Sequence, residues 1–467
     1  MVSHDLERSL GLYTTTMISM GAMIGSGIFV LPALAFKKAG PAAVLAYVLA
    51  AVVVLPAALS KAEMATAMPE SGGTYLYIDR ALGPLFGTIA GIGAWFSITF
   101  KSSFALVGLG AYLLLIAPVS QGGITFVALG LGALVVLLNI VGTELSGRIQ
   151  AAIVSLVLLG LTAYTLNAGV TADAGRLTPF LSEGSGSVVT TAAFVFVSYA
   201  GVTKIASIAE EVENPGKNLP RAMLGSMAIM TFIYIAVVSS VIALSEPETL
   251  IHGGPNGSAS LTPMADGASA LFGGAGVLII SSIAIVALTS MANAGVLSTS
   301  RFPLAMSRDS LLPSPLGVID KRFKTPRNSV LLTGVGLLLL IAFVPVVELA
   351  KLASAFQILV FSFENLALIA FRGADIESYD PAFTSPGYPY VQLFGFVAGL
   401  ALLTQMGTIP LLGATGIIVG GIAVYVLYGR SRTDRTGAIV VLLEQWRGAE
   451  ADERTGAEDS PTLSDMD

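Results

Sequence analysis

The sequence predicts an all-α, polytopic membrane protein. Three observations predict it: charge is scarce, apolar residues are gathered into blocks, and the blocks have bilayer length. Of 467 residues, 54% are hydrophobic and only 12% are charged, where a soluble domain carries roughly 25% charged residues. Stretches 42–59, 126–140, 151–166, 223–244, 277–288 and 330–344 hold no Asp, Glu, Lys or Arg. A helix needs about 20 apolar residues to cross a bilayer. A long helix in a soluble core would keep a polar outer face, whereas these blocks are apolar all round.

Breaking the chain at charged or Pro/Gly-rich loops gives about twelve spans: 12–36, 41–66, 85–113, 123–142, 148–167, 187–209, 220–244, 268–306, 328–346, 350–371, 391–407 and 410–429. The eighth exceeds what a bilayer requires, so it is expected to tilt or to extend beyond the membrane. Basic residues in short loops set the orientation. With the N-terminus inside, the inner segments hold Arg8, Arg80, Arg148, Lys217, Arg221, Arg308, Lys321, Arg322, Lys324, Arg327, Arg372 and Arg430. The outer ones hold Lys37, Lys38, Arg176 and Lys351. A multi-pass protein of the cell membrane with both termini in the cytoplasm is therefore expected.

The chain divides into a cytoplasmic N-terminus (1–10), a ten-helix core (11–371), two further membrane helices (372–429) and a tail (430–467). Within the tail a short amphipathic piece, Ile439 to Trp446, precedes an acidic run, Gly448 to Asp467. That run is too polar to fold alone. The polar opening Ser3-His4-Asp5-Leu6-Glu7-Arg8 does not read as a secretory signal. With no cysteine, a disulfide or thiolate site is excluded; the two histidines, His4 and His252, fall in loops, so no metal is expected. The net charge of −6 gathers in the tail, which argues against a nucleic-acid partner. No P-loop stands in the sequence, so neither ATP nor any other cofactor is expected.

The first span contains Gly21-Ala22-Met23-Ile24-Gly25-Ser26-Gly27-Ile28-Phe29-Val30-Leu31-Pro32. Glycine costs about 1 kcal/mol relative to alanine inside a helix. Close helix packing through small residues is one explanation. The other is a helix broken at mid-membrane, whose freed amides and half-helix dipole would receive a carboxylate. Glycine lets a ligand approach the backbone, and irregular backbone at that depth requires a cavity. A second candidate break lies at Phe194-Val195-Phe196-Val197-Ser198-Tyr199-Ala200-Gly201-Val202-Thr203-Lys204 in the sixth span. If ten helices form two halves of five, the first and sixth spans are equivalents, as in inverted-repeat transporters.

The run Gly21 to Pro32 is followed by Ala39-Gly40-Pro41, Pro69-Glu70-Ser71-Gly72-Gly73-Thr74-Tyr75-Leu76-Tyr77 and Ala81-Leu82-Gly83. Ala209-Glu210-Glu211-Val212-Glu213-Asn214-Pro215, Asn218-Leu219-Pro220-Arg221 and Ser307-Arg308-Asp309 to Pro313 come later. Together these resemble the amino acid–polyamine–organocation family from about residue 10 to beyond 370. The resemblance implies a LeuT-type 5+5 inverted repeat with helices 1 and 6 broken, and secondary transport of amino acids by alternating access. It implies that Gly25, Ser26 and Gly27 meet the substrate carboxylate, and that carbonyls near Met23, Ile24, Phe196, Val197 and Ala200 take the ammonium. Where relatives carry a bulky aromatic gate stands Val197, flanked by Phe196 and Tyr199. Thr203 stands where some relatives carry an acid, which favours a neutral substrate over a cationic one.

An ionisable residue inside a span costs at least about 2.5 kcal/mol at mid-bilayer and is a functional candidate. Lys101, Lys204 and Glu364 are the three, whereas Lys61 and Glu63 read as interfacial. The resemblance places a coupling lysine near Val157 or a sodium-binding hydroxyl pair near Ala294 and Gly295. Neither is present, although Ser290, Ser298 and Thr299 lie about one turn away. Lys101 or Lys204 is therefore expected to supply the cationic group, with a proton or sodium as co-transported ion, or with uncoupled exchange. Pro69 to Tyr77 reads as a re-entrant inner turn, and Glu210, Glu211 and Glu213 either as partners of Arg221 or Arg80 or as a solvated loop. A polyamine transporter or exchanger of the same fold, and an amino acid sensor that does not transport, remain open alternatives. A channel filter is not visible, nor is a nucleophile–base pair for an enzyme.

Overall fold

Described here, from a computed structural model, are residues 8, 10–69, 73–117, 123–142, 147–376 and 379–445. Every expected span falls on a helix or on consecutive helical segments. The first is split into α1 (Leu12–Met23), α2 (Ser26–Phe29) and α3 (Leu31–Ala39). Then come α4 (Ala43–Ala67), α5 (Gly73–Leu82), α6 (Pro84–Ile116), α7 (Gly123–Val141) and α8 (Gly147–Thr171). The sixth span starts as α9 (Gly184–Val195) and continues as a tighter 3₁₀ winding, Phe196–Glu211. It is followed by α10 (Pro215–Leu244), the short α11 (Pro247–His252) and α12 (Pro263–Arg308). The chain ends with α13 (Arg327–Phe343), α14 (Val346–Gly373), α15 (Tyr390–Thr404) and α16 (Thr408–Val424). Proline opens α6, α10 and α12 at a first-turn position, where its missing N–H has no intrahelical acceptor to lose.

The helices are apolar on the outside as well as within. Phe126, Leu159, Phe232, Phe343, Val397 and Leu412 all stand exposed, an arrangement suited to lipid rather than water. α6 lies at the centre, packed against both α12 and α14, while α1 runs against α10 and the 3₁₀ segment. The segment before α1 is tied to the end of that 3₁₀ segment: Leu10 N–H donates to the Glu211 carbonyl (3.0 Å) and Glu213 N–H to the Leu10 carbonyl (3.0 Å).

Three expectations change. Pro69 to Tyr77 is not a simple turn, because α5 starts at Gly73; residues 70–72 lie outside the described set. α12 is longer than expected at its start and is bent at Phe272 and Gly273, the latter at φ 57°, a backbone geometry that favours glycine. Lys61 and Glu63 are not interfacial: both are completely buried. Lys61 meets Glu364 at 2.9 Å, and Glu63 accepts two bonds from Arg372 at 2.6 Å each. The physical reason is pairing, since a carboxylate from one helix and a cation from another neutralise each other out of water. Residues 438–445 are helical, as the amphipathic piece implied; Trp446 and the acidic run lie outside the described residues.

Candidate functional site

The first span breaks at Ile24 and Gly25. α1 ends at Met23, Ile24 turns into an extended conformation (φ −71°, ψ 120°), and α2 starts at Ser26. Gly25 accepts at its carbonyl from Ile28 N–H (2.9 Å) and Phe29 N–H (3.0 Å). The amides that open α2, Ser26 and Gly27, have no carbonyl one turn back to bond. A Cβ at Gly25 would overlap the sulfur of Met291 from α12, so any larger residue there must displace that side chain. At Gly27 a Cβ would fall 2.6 Å from Ser198 Oγ.

The sixth span changes winding at Phe196, close to this break. Gly201 packs backbone to backbone against Ala22, so tightly that a Cβ would collide with the Ala22 carbonyl. Tyr234 of α10 joins the two broken segments. Its hydroxyl lies 2.8 Å from the Met23 carbonyl and 3.0 Å from the Ser198 carbonyl. Tyr47 donates to the Gly27 carbonyl (2.8 Å) and Tyr112 to the Phe29 carbonyl (2.8 Å). Ser354 of α14 donates to the Phe194 carbonyl (2.7 Å) and accepts from Val197 N–H (3.1 Å). Backbone groups released by the breaks are thus held by side chains of neighbouring helices.

Among the described residues, the Ser26 Oγ is buried at the first break without a hydrogen-bond partner. A hydroxyl buried without a bond costs about 1–3 kcal/mol, so Ser26 is left able to meet something polar.

A cavity of about 530 Å³ reaches this region from the end of the molecule that carries Arg80, Arg308 and Lys324. Its wall includes Gly21, Ala22, Ala200, Gly201, Thr203 and Met291. Of the expected substrate-contacting residues, Ala200 and Thr203 face the cavity. Met23, Ile24, Gly25, Ser26, Gly27, Phe196 and Val197 are buried at the breaks behind it. Phe196 rests edge-on against Phe361, with ring centroids 5.7 Å apart.

Lys101 and Lys204 both line the cavity. Lys101 Nζ donates to the Ala22 carbonyl (3.2 Å), one turn before the break in α1. Lys204 Nζ donates to the Ala294 carbonyl of α12 (3.1 Å). Glu364 is elsewhere, in its pair with Lys61; Thr74 Oγ1 lies 2.7 Å from Lys61 Nζ and the Tyr77 ring 4.8 Å from it. Among the described residues, the cavity wall carries the cations Arg80, Lys101, Lys204, Arg301, Arg308 and Lys324 and one acid, Asp309. At the mouth, burial pushes the Asp79 carboxyl up, against the opposing pull of Arg435 and Arg80.

Tyr234, Tyr47, Ser198, Met291 and Ser354 were not identified from the sequence. The available signal was a tyrosine or serine inside an apolar block, and such residues occur in many spans without lining a site.

The sequence pattern of the amino acid permease family matches residues 14–428. The branched-chain amino acid permease BcaP of Bacillus subtilis is 30% identical, over 92% of this chain and 94% of its own length. The methylthioribose transporter of the same organism is 29% identical, over 92% and 95%. BcaP of Lactococcus lactis is 28% identical, over 89% and 93%. These matches cover both broken spans and the cavity between them, and the chain belongs to the amino acid permease family.

Proposed function

We propose that this protein is a secondary active transporter of amino acids that works by alternating access, with its substrate seated between the breaks in the first and sixth spans. The observation that carries the reading is the break of the first span at Ile24 and Gly25, beside the change of winding at Phe196, with the Ser26 hydroxyl buried there without a partner among the described residues. An α-carboxylate meeting the amides of Gly25, Ser26 and Gly27 would sit at the positive end of α2. The ammonium would turn to carbonyls on the other side, near Ile24, Phe196, Val197 and Ala200, with Tyr234 fixing the Met23 carbonyl. Relatives of this chain named as branched-chain amino acid permeases support the substrate class.

The cavity end carries the basic loops, so it is the cytoplasmic end on the positive-inside rule; the conformation described is inward-open. Six cations against one acid in the described wall favour neutral substrates over cationic ones. Coupling is assigned to protons through Lys101 and Lys204. Their ammonium groups engage carbonyls of α1 and α12, and Ala294, which Lys204 meets, is where the resemblance would place a sodium-binding hydroxyl. A buried lysine readily exchanges its proton as its surroundings change.

Uptake into proteoliposomes tests this, using leucine, glutamate, lysine, a polyamine and methylthioribose under imposed proton or sodium gradients. Proton-driven accumulation of a neutral amino acid, abolished by Gly25→Val, is the expected result. Binding without accumulation under every gradient would replace the transporter with a sensor, and preferential polyamine uptake would overturn the substrate class.

A further inference from the structure

After α16 the chain does not leave the molecule. Residues 430–445 turn back along the cytoplasmic end and reach the mouth of the cavity. There Arg435 Nη1 lies 2.5 Å from Asp309 Oδ1, at the end of α12, and Nη2 lies 3.5 Å from Asp79 Oδ1 on α5. Nη2 also donates to the Asp309 carbonyl (3.3 Å), and the Tyr75 hydroxyl of α5 donates to Asp309 Oδ2 (2.8 Å). Tyr75 and Asp309 are both part of the cavity wall.

Two further contacts seat the same arm. Gly437 lies directly on the backbone of Gly83, where a Cβ would collide with the Gly83 amide. Gln445 Nε2 donates to the Ala374 carbonyl beyond α14 (3.1 Å). Ala438 between them is buried.

We propose that Arg435 is a positioning residue for transport: it draws α5 and the end of α12 together and so sets how wide the cytoplasmic mouth opens. The Asp79 and Asp309 carboxylates repel each other, and Asp79 is nearly closed to solvent. Arg80 already meets the other Asp79 oxygen, Oδ2, at 2.9 Å, so it is Arg435 that joins the two elements, through its bond to Asp309 and a looser ion pair to Asp79. Without it, the remaining repulsion separates α5 from α12, and the mouth between Tyr75 and Asp309 widens. The inference rests on the reading of this cavity as the transport path, but its test needs no substrate.

The chain has no cysteine, so Ser298→Cys in the cavity wall provides a single thiol. The rate of its modification by a membrane-impermeant reagent, measured on the purified full-length protein, reports how open the mouth is. Arg435→Gln is expected to speed labelling about five-fold, a modest population shift. Arg435→Lys should return the rate part of the way to the parent's, and Arg435→Gln combined with Asp309→Asn most of the way, because the repulsion is then gone. Gly437→Val, which lifts the arm without changing charge, should speed labelling as well. Salt near 1 M, where screening sets in at about 3 Å, should slow Arg435→Gln toward the parent by screening the two carboxylates. Equal rates in all these proteins would overturn the proposal. Slower labelling of Arg435→Gln would overturn it too, showing that the arm props the mouth open. A melting curve for each variant separates this effect from unfolding, since the double variant repairs the rate only if repulsion is the cause.

Discussion

Lys61 Nζ and Glu364 Oε1 lie 2.9 Å apart, 303 positions apart in the chain, with neither side chain open to solvent. The pair fastens α4 to α14, and Lys61 also touches α5 through Thr74. Removing one partner from a buried pair leaves an uncompensated charge and costs about 3–5 kcal/mol, whereas replacing both with apolar residues is often neutral. Lys61→Met and Glu364→Leu are each expected to lower the melting temperature in detergent strongly, and the double variant to regain most of the loss. A double variant as unstable as the sum of the singles would show that the pair does more than hold the helices.

The Tyr234 hydroxyl reaches both broken segments. Tyr234→Phe keeps the ring, including its packing 5.0 Å from Tyr199 and 5.1 Å from Tyr47. It removes the single O–H proton that the Met23 and Ser198 carbonyls share, at about 1–3 kcal/mol. Uptake is expected to fall about ten-fold, with a smaller change in thermal stability. Unchanged kinetics would mean that the breaks hold their geometry without this bond.

Gly201 and Gly225 provide a contrast. A Cβ at Gly201 meets the Ala22 backbone, while one at Gly225 in α10 meets nothing within 4 Å. Gly201→Ala is therefore expected to abolish transport by separating the first and sixth spans. Gly225→Ala should transport normally and melt slightly higher, since alanine favours a helix by about 1 kcal/mol over glycine. Normal uptake by Gly201→Ala would sink the view that these spans must touch.

Lys101→Ala and Lys204→Ala separate coupling from binding. Each removes an ammonium held on a carbonyl of α1 or α12. Loss of proton-driven accumulation with counterflow exchange retained is the expected result in at least one variant. Full coupled uptake in both would remove the lysines from the mechanism.

Arg435 links the mouth to pH. Asp79 is pushed up by burial, and Arg435 is the largest opposing influence. In Arg435→Gln the carboxyl therefore moves further up, and the folded state holds its proton more firmly than the unfolded chain does. Such a group stabilises the fold in acid and loses that contribution as pH rises through its folded pKa. The melting deficit of Arg435→Gln relative to the parent is expected to be largest at neutral pH and to shrink in mild acid. A deficit independent of pH would assign the loss to packing of the arm.

How much was legible follows from which forces act locally. The helical spans and the break at Gly25 were readable because bilayer length, glycine content and loop charge are written in consecutive residues. Lys101 and Lys204 stood out for the same reason, as charges inside apolar blocks. Lys61 and Glu63 were misplaced because nothing in consecutive residues tells that Glu364 and Arg372 lie opposite them. The sixth-span break was placed within Phe194 to Lys204, but its start at Phe196 was hidden. It depends on Ser354 of α14 capturing both the Phe194 carbonyl and the Val197 amide.

The sequence by itself therefore determined that the chain is a helical membrane protein with a weak point in its first span, since helix formation in lipid is a property of local composition. The tertiary structure alone decided which side chains hold the freed backbone groups, which buried charges neutralise one another, and where the C-terminal arm rests. Those outcomes depend on residues up to three hundred positions apart meeting within about 3 Å, and hydrogen bonds and ion pairs of that range leave no periodicity along the chain.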